Sequence, residues 1–97
     1  MVSRQQALNT LQQFKAEKGS EYGIISLGMF GSLARNQETG ESDIDVVVET
    51  ESVNPFQLVH LREHLEILLE SHVDIVRMRK NMNGFLKKRI EQDAIYV

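Results

Sequence analysis

The 97-residue chain contains no cysteine. A disulfide framework, a thiolate zinc site and a thiol nucleophile are thereby excluded, and the composition suits a reducing compartment. Tryptophan is absent and aromatic residues are only 6%, which leaves little with which to stack nucleobases. One proline and six glycines, with 41% hydrophobic and 26% charged residues, make a globular composition that is neither low-complexity nor disordered. No apolar run approaches the roughly 18 residues that a membrane span requires. The N-terminal stretch Met1-Val2-Ser3-Arg4-Gln5-Gln6 lacks the hydrophobic centre of a signal peptide. These absences predict a cytoplasmic protein with no membrane segment. A chain of this length buries only about 60–65% of the surface that its unfolded form exposes, so a single domain over residues 1–97 with one two-layer core is expected.

The net charge of −3 argues against general nucleic-acid binding, and its distribution says more than its sum. Residues 36–61 contain no Lys or Arg, yet carry Glu38, Glu41, Asp43, Asp45, Glu49 and Glu51. Six of the eleven basic residues follow in Arg77, Arg79, Lys80, Lys87, Lys88 and Arg89. An acidic middle calls for a cation; a basic end calls for an anion or an acidic partner, or is simply a solvated face.

Hydrophobic spacing predicts alternating helices and strands. Ser3 and Gln6 form a candidate capping box for a helix over 3–18, with Ala7, Leu8, Leu11 and Phe14 inward and Gly19 as its stop. Tyr22 to Phe30 reads as a strand, and Ser32 to Gln37 as a turn or two of helix closed by the polar residues 38–42. Asp43 to Glu49 alternates as a strand does: Ile44, Val46 and Val48 share one face, while Asp43, Asp45, Val47 and Glu49 share the other. Asn54 caps and Pro55 opens a helix to about Glu70, with Phe56, Val59, Leu61, Leu65, Leu68 and Leu69 as its apolar face. His72 to Met78 is a third strand, Asn83 to Asp93 a last helix with Phe85, Leu86 and Ile90 inward, and Ile95-Tyr96-Val97 a terminal extended piece. Helices alternating with strands imply an α/β (α+β) fold with one small sheet.

Chemistry concentrates at three places: Gly31-Ser32-Leu33-Ala34-Arg35, Asp43-Ile44-Asp45, and Asp74 within Val73-Asp74-Ile75-Val76. Gly31 and Ser32 stand where a strand hands over to a helix. Glycine there admits a ligand close to the backbone, and the helix start presents unpaired N–H groups to an anion. Arg35 lies close enough to reach a phosphate at the same helical end. Asp43 and Asp45 project from one strand face with Cα atoms about 7 Å apart. Carboxylates that near one another repel unless a hard cation lies between them, and Mg²⁺ takes carboxylates together with substrate phosphates. Asp74 adds a third carboxylate if its strand lies beside Asp45. Three acids and a phosphate-binding turn suit two-metal nucleotidyl transfer.

Gly31-Ser32-x-Ala34-Arg35, then Ser42-Asp43-x-Asp45 and Val73-Asp74-Ile75-Val76, resembles the minimal nucleotidyltransferases of the DNA polymerase β superfamily. The likeness covers about residues 22–97, including the Asn54-Pro55-Phe56 helix start and the Ala94-Ile95-Tyr96-Val97 ending. Where many members carry Gly after the Arg, this chain has Asn36, which also tolerates a left-handed backbone. The resemblance implies a nucleotidyltransferase fold in which Gly31 and Ser32 hold ATP and Asp43 and Asp45 bind Mg²⁺. Asp74 would bind the metal beside the attacking hydroxyl and help to remove its proton. Small members of this family act as antitoxins that add AMP to a tyrosine of a HEPN-domain toxin. The resemblance therefore implies AMP transfer from ATP to a protein hydroxyl, with a HEPN-type toxin as partner. A domain this small meets its acceptor on another protein or completes its pocket in a homodimer. A binding antitoxin that acts by contact alone and a transferase acting on a small hydroxyl compound are the competing readings.

His60-Leu61-Arg62-Glu63-His64 matches an H-x-x-E-H zinc-peptidase pattern. Such a site needs a further protein ligand, and the stretch reads more simply as the polar side of an amphipathic helix.

Overall fold

The computed structural model describes residues 3–35, 43–52 and 54–97. The expectations for Asn36, Gln37, the polar residues 38–41 and Ser42 lie outside these residues. Among the described residues, four helices and four strands follow one another as α1 (Arg4–Tyr22), β1 (Ile24–Phe30), α2 (Gly31–Ala34), β2 (Ile44–Thr50), α3 (Pro55–Leu69), β3 (Val73–Arg77), α4 (Gly84–Asp93) and β4 (Ile95–Tyr96). The architecture is a mixed α/β one, with a sheet of order β3-β2-β1-β4. β1 runs antiparallel to both β2 and β4, whereas β2 and β3 are parallel and joined across one sheet face by α3.

Local chemistry accounts for the helix boundaries. Ser3 Oγ accepts from the Gln6 N–H at 3.1 Å, and Gln6 Oε1 accepts from the Ser3 N–H at 3.0 Å, so the capping box is reciprocal. α1 does not stop at Gly19, as the spacing predicts, but continues to Tyr22. Gly23 takes the left-handed conformation (φ 65°) and its N–H closes the helix onto the carbonyls of Gly19 and Ser20. Asn54 Oδ1 accepts from the N–H groups of Phe56 and Gln57 at 3.1 and 3.3 Å, capping α3 ahead of Pro55. Asn83 caps α4 in the same way, at 2.9 Å to Phe85 and 3.2 Å to Leu86.

Two cores lie on opposite faces of the sheet. The larger gathers Ala7, Leu11 and Phe14 of α1, Leu61, Leu65 and Leu69 of α3, and Leu27, Met29, Ile44, Val46, Val48 and Val73 from the strands. The smaller packs Ile90 of α4 on Phe30 and Val47, with Val76, Met78, Met82 and Leu86 around them. Two aromatic assignments fail: Phe56 and Phe85 are 81% and 85% exposed, because each occupies the first turn of its helix and points away from the sheet. Val59 and Leu68 are also exposed. The stripe of α3 that reaches the core is Leu58, Leu61, Leu65 and Leu69.

Candidate functional site

The smaller core covers only part of its face, and the acidic residues occupy the rest. Strand alternation puts Asp45 on the same side of β2 as Val47, and Asp74 on the same side of β3 as Val76. The parallel register pairs Asp45 directly with Asp74. Asp43 stands one residue before β2 and is exposed, as is Asp74, whereas Asp45 is half-buried. On its other side Asp45 pairs with Phe30, the residue that precedes Gly31. The register thus brings the strand-to-helix turn and the acidic residues to one end of the sheet.

Gly31 fits the Asp45 carboxylate by having no side chain. Its backbone adopts φ 79°, a region that side-chain-bearing residues rarely enter, and a Cβ placed there would overlap Oδ2 of Asp45. The carboxylate therefore rests directly against the backbone of the turn. Ser32 follows in the first turn of α2, half-buried, and its hydroxyl has no partner among the described residues.

Burial raises the pKa of Asp45, and the Asp74 carboxylate raises it further; Asp43 adds in the same direction. Arg89 and Arg35 oppose the rise. Negative charge is crowded here, and the two cations offset it only in part. Among the described residues no group of three or more acidic or histidine side chains is drawn together tightly enough to hold a metal ion. The donor set itself suits a hard divalent cation: oxygen ligands on adjacent strands, mutually repelling, beside a turn with no side chain in the way.

Arg35 is engaged elsewhere. Its Nη1 donates to Oδ2 of Asp93 at 2.7 Å, an ion pair that ties the end of α2 to the end of α4. Arg35 therefore belongs to the site's wall as well as to its candidate phosphate contacts. Sequence reasoning missed Asp93 as that partner, and treated Arg89 only as part of a basic stretch. Arg89 influences Asp45 because α4 lies over this face. The only local signal was its place next to Ile90, the buried residue of that helix. The two histidines of the zinc-peptidase pattern lie on α3, which packs on the other face of the sheet, and the His64 ring meets Phe14 edge-on with centroids 5.1 Å apart.

Comparison with known proteins identifies the family and the fold. The family model described as "Nucleotidyltransferase domain" matches residues 10–97. MJ0126 of Methanocaldococcus jannaschii, provisionally named a protein adenylyltransferase, is 38% identical over 88 residues, 90% of each chain. The protein adenylyltransferase MntA of Thermococcus cleftensis is 29% identical over 98 residues, covering 100% of this chain and 98% of its own. A solved structure described provisionally as a minimal nucleotidyltransferase superposes with a TM-score of 0.80 at 25% identity, over 97% of this chain and 95% of that one. The fold is also that of the MNT antitoxin solved with a tri-AMPylated HEPN toxin from Shewanella oneidensis. There the TM-score is 0.67 at 20% identity, over 96% of this chain and 70% of the other.

Proposed function

Since this chain belongs to the nucleotidyltransferase domain family and is a nucleotidyltransferase, we propose that it moves AMP from ATP to a protein hydroxyl, with Mg²⁺. The acceptor in this reading is a tyrosine of a HEPN-type toxin, and the chain is the antitoxin that modifies it. One observation carries the proposal: Asp45, in register with Asp74 and close to Asp43, has its carboxylate seated against the bare backbone of Gly31. The protein adenylyltransferase relatives support adenylyl transfer to protein, and the HEPN complex supports the class of partner.

Each residue has a role that its position allows. Asp43, Asp45 and Asp74 would hold the magnesium. When bound, the metal neutralises triphosphate charge and stabilises both the attacking and the leaving oxygen. Gly31 lets the triphosphate approach the backbone, and the Ser32 hydroxyl donates to a phosphate oxygen. Arg35 and Arg89 supply positive charge around Asp45. Asp74, exposed on the edge strand, is a carboxylate that an incoming hydroxyl can reach. The hydroxyl oxygen bonds to the α-phosphorus, its proton passes to the Asp74 carboxylate, and the bond to the bridging oxygen breaks to release pyrophosphate.

Incubation with labelled ATP, Mg²⁺ and a HEPN-domain protein encoded beside this chain is expected to label that protein. Asp43→Asn and Asp45→Asn should each lower transfer on the order of 10²-fold or more. Labelling at the wild-type rate by both variants sinks the site assignment. Full neutralisation of the toxin by Asp45→Asn without ATP instead supports action by contact.

A further inference from the structure

β3 is the edge of the sheet that carries Asp74, and among the described residues no strand lies along its outer side. Its parallel ladder with β2 is bounded by the Ile44 N–H to the His72 carbonyl at 2.9 Å and the Met78 N–H to the Val48 carbonyl at 2.8 Å. Backbone groups alternate sides along a strand, so those of Asp74 and Val76 point to β2 and those of Val73, Ile75 and Arg77 point outward. Glu66 Oε2 already accepts from the outward N–H of Val73 at 3.0 Å. The outward N–H and carbonyl of Ile75 have no partner among the described residues.

Beside this edge lies a cavity of about 330 Å³, lined by Leu58, Ile75, Met82 and Leu86 and rimmed by Arg77 and Arg79. An open strand edge, an apolar cavity next to it and a cationic rim are together the requirements for adding an extended peptide to a sheet. Backbone hydrogen bonds hold such a peptide, the cavity takes one of its side chains, and the cations select acidic neighbours. Arginines on an edge also discourage pairing with further strands of like charge, which again favours an acidic occupant. A residue added opposite position 74 would place its side chain on the face of Asp74, one strand spacing of about 5 Å away.

We propose that the outer edge of β3 is the acceptor dock: an acidic, extended segment of the protein acceptor adds to it as a further strand and sets its hydroxyl residue beside Asp74. The proposal rests on the adenylyl-transfer reading of this site and deepens it by assigning where the acceptor backbone is held.

A synthetic peptide alternating Glu and Val around one central Tyr serves as the probe, with the same peptide carrying Lys for Glu as its control. The acidic peptide is expected to slow amide hydrogen exchange at Ile75, and the basic one is not. Ile75→Pro removes an outward N–H and leaves the β2 ladder whole, a substitution that an edge strand can accept. It should lower the kcat/KM for labelling of the acidic peptide about tenfold through KM, the size of a lost backbone hydrogen bond at its upper range. The paired exchange Arg77→Glu with Arg79→Glu tests the same dock without touching the strand backbone. It should shift preference from the acidic to the basic peptide. ATP binding, followed by calorimetry, reports whether each variant retains its fold. Peptide labelling at the wild-type rate in both variants overturns the dock while leaving adenylyl transfer standing. Protection of Ile75 with no labelling by any form leaves the dock standing and overturns the transfer reading. Protection that rises with protein concentration and ignores the peptide assigns the edge to a second copy of the chain and overturns the proposal.

Discussion

The two faces of the sheet are made of similar strands but are covered differently. On one face α1 and α3 close over Leu27, Met29, Val46 and Val48, all 0% exposed. On the other, among the described residues, α4 is the helix that packs on Phe30 and Val47, and beside them Asp45 is half-buried and Asp74 exposed. The difference lies in the number of helices rather than in the strands. Among the described residues, two helices seal one face and one covers the other in part, and the partly covered face carries the carboxylates. A polar group on the sealed face would be costly to bury, so chemistry is confined to the face that is half covered.

Substitution on each face separates stability from chemistry. Leu65, fully buried between α3 and the strands, should cost about 2–5 kcal/mol when changed to Ala, read as a shift of the urea midpoint. Protein that remains folded should keep its transfer rate, because Leu65 belongs to the face opposite the acidic residues. A proportionate loss of both would mean that the two faces are not independent.

Gly31→Ala ought to damage both properties. The backbone at φ 79° is strained for alanine, and the new Cβ would displace the Asp45 carboxylate. A loss of about 1–3 kcal/mol is expected in thermal melts, together with a collapse of labelling. Unchanged labelling would show that the carboxylate's seat against the turn is irrelevant.

Asp45→Asn should go the other way in stability. Burial, then Asp74, raises the pKa of Asp45, so the folded chain holds this proton more readily than the unfolded one. For this group, stability falls as the pH rises from the ordinary aspartate range through the raised value, and stays lower above it. In chelator at neutral pH the Asn variant should therefore melt above the wild type, and the advantage should vanish on acidification. A variant less stable than wild type at neutral pH would mean that Arg89 and Arg35 outweigh burial and carboxylate repulsion.

Much of this site was legible because its signals are local. The Gly31-Ser32 turn and the Asp43–Asp45 spacing are properties of single segments, and strand alternation put Asp45 opposite the Val46 face without knowledge of the sheet. That Asp74 would stand beside Asp45 was conditional on strand order, which periodicity does not contain; the parallel β2–β3 register supplies it. The capping of α1 by Ser3 and Gln6, and of α3 by Asn54, was likewise readable. The end of α1 was not, because Gly19 and Gly23 offer equivalent local stops and only the second takes the left-handed backbone. Apolar identity misplaced Phe56 and Phe85, since a first-turn residue has no preceding helical turn to fix its direction to the sheet. Arg89 and the Arg35–Asp93 pair depend on how α4 docks, a tertiary fact with no counterpart in spacing.

The Arg35–Asp93 pair gives the smallest expected change in stability and the finest distinction between the two tasks of one residue. Arg35 is partly solvated and Asp93 largely covered, so a double-mutant cycle should return a coupling of about 0–1 kcal/mol. If Arg35 serves only to tie α2 to α4, Arg35→Ala and Asp93→Ala should weaken ATP binding equally, through the same loosened wall. If it also meets a phosphate, the two variants part: Arg35→Ala loses a charge-assisted hydrogen bond to the nucleotide, whereas Asp93→Ala removes a competitor for the guanidinium. ATP affinity should then fall in the first and hold or rise in the second. Calorimetric titration of the two variants, at low and at high salt, decides between a strut and a strut that also binds.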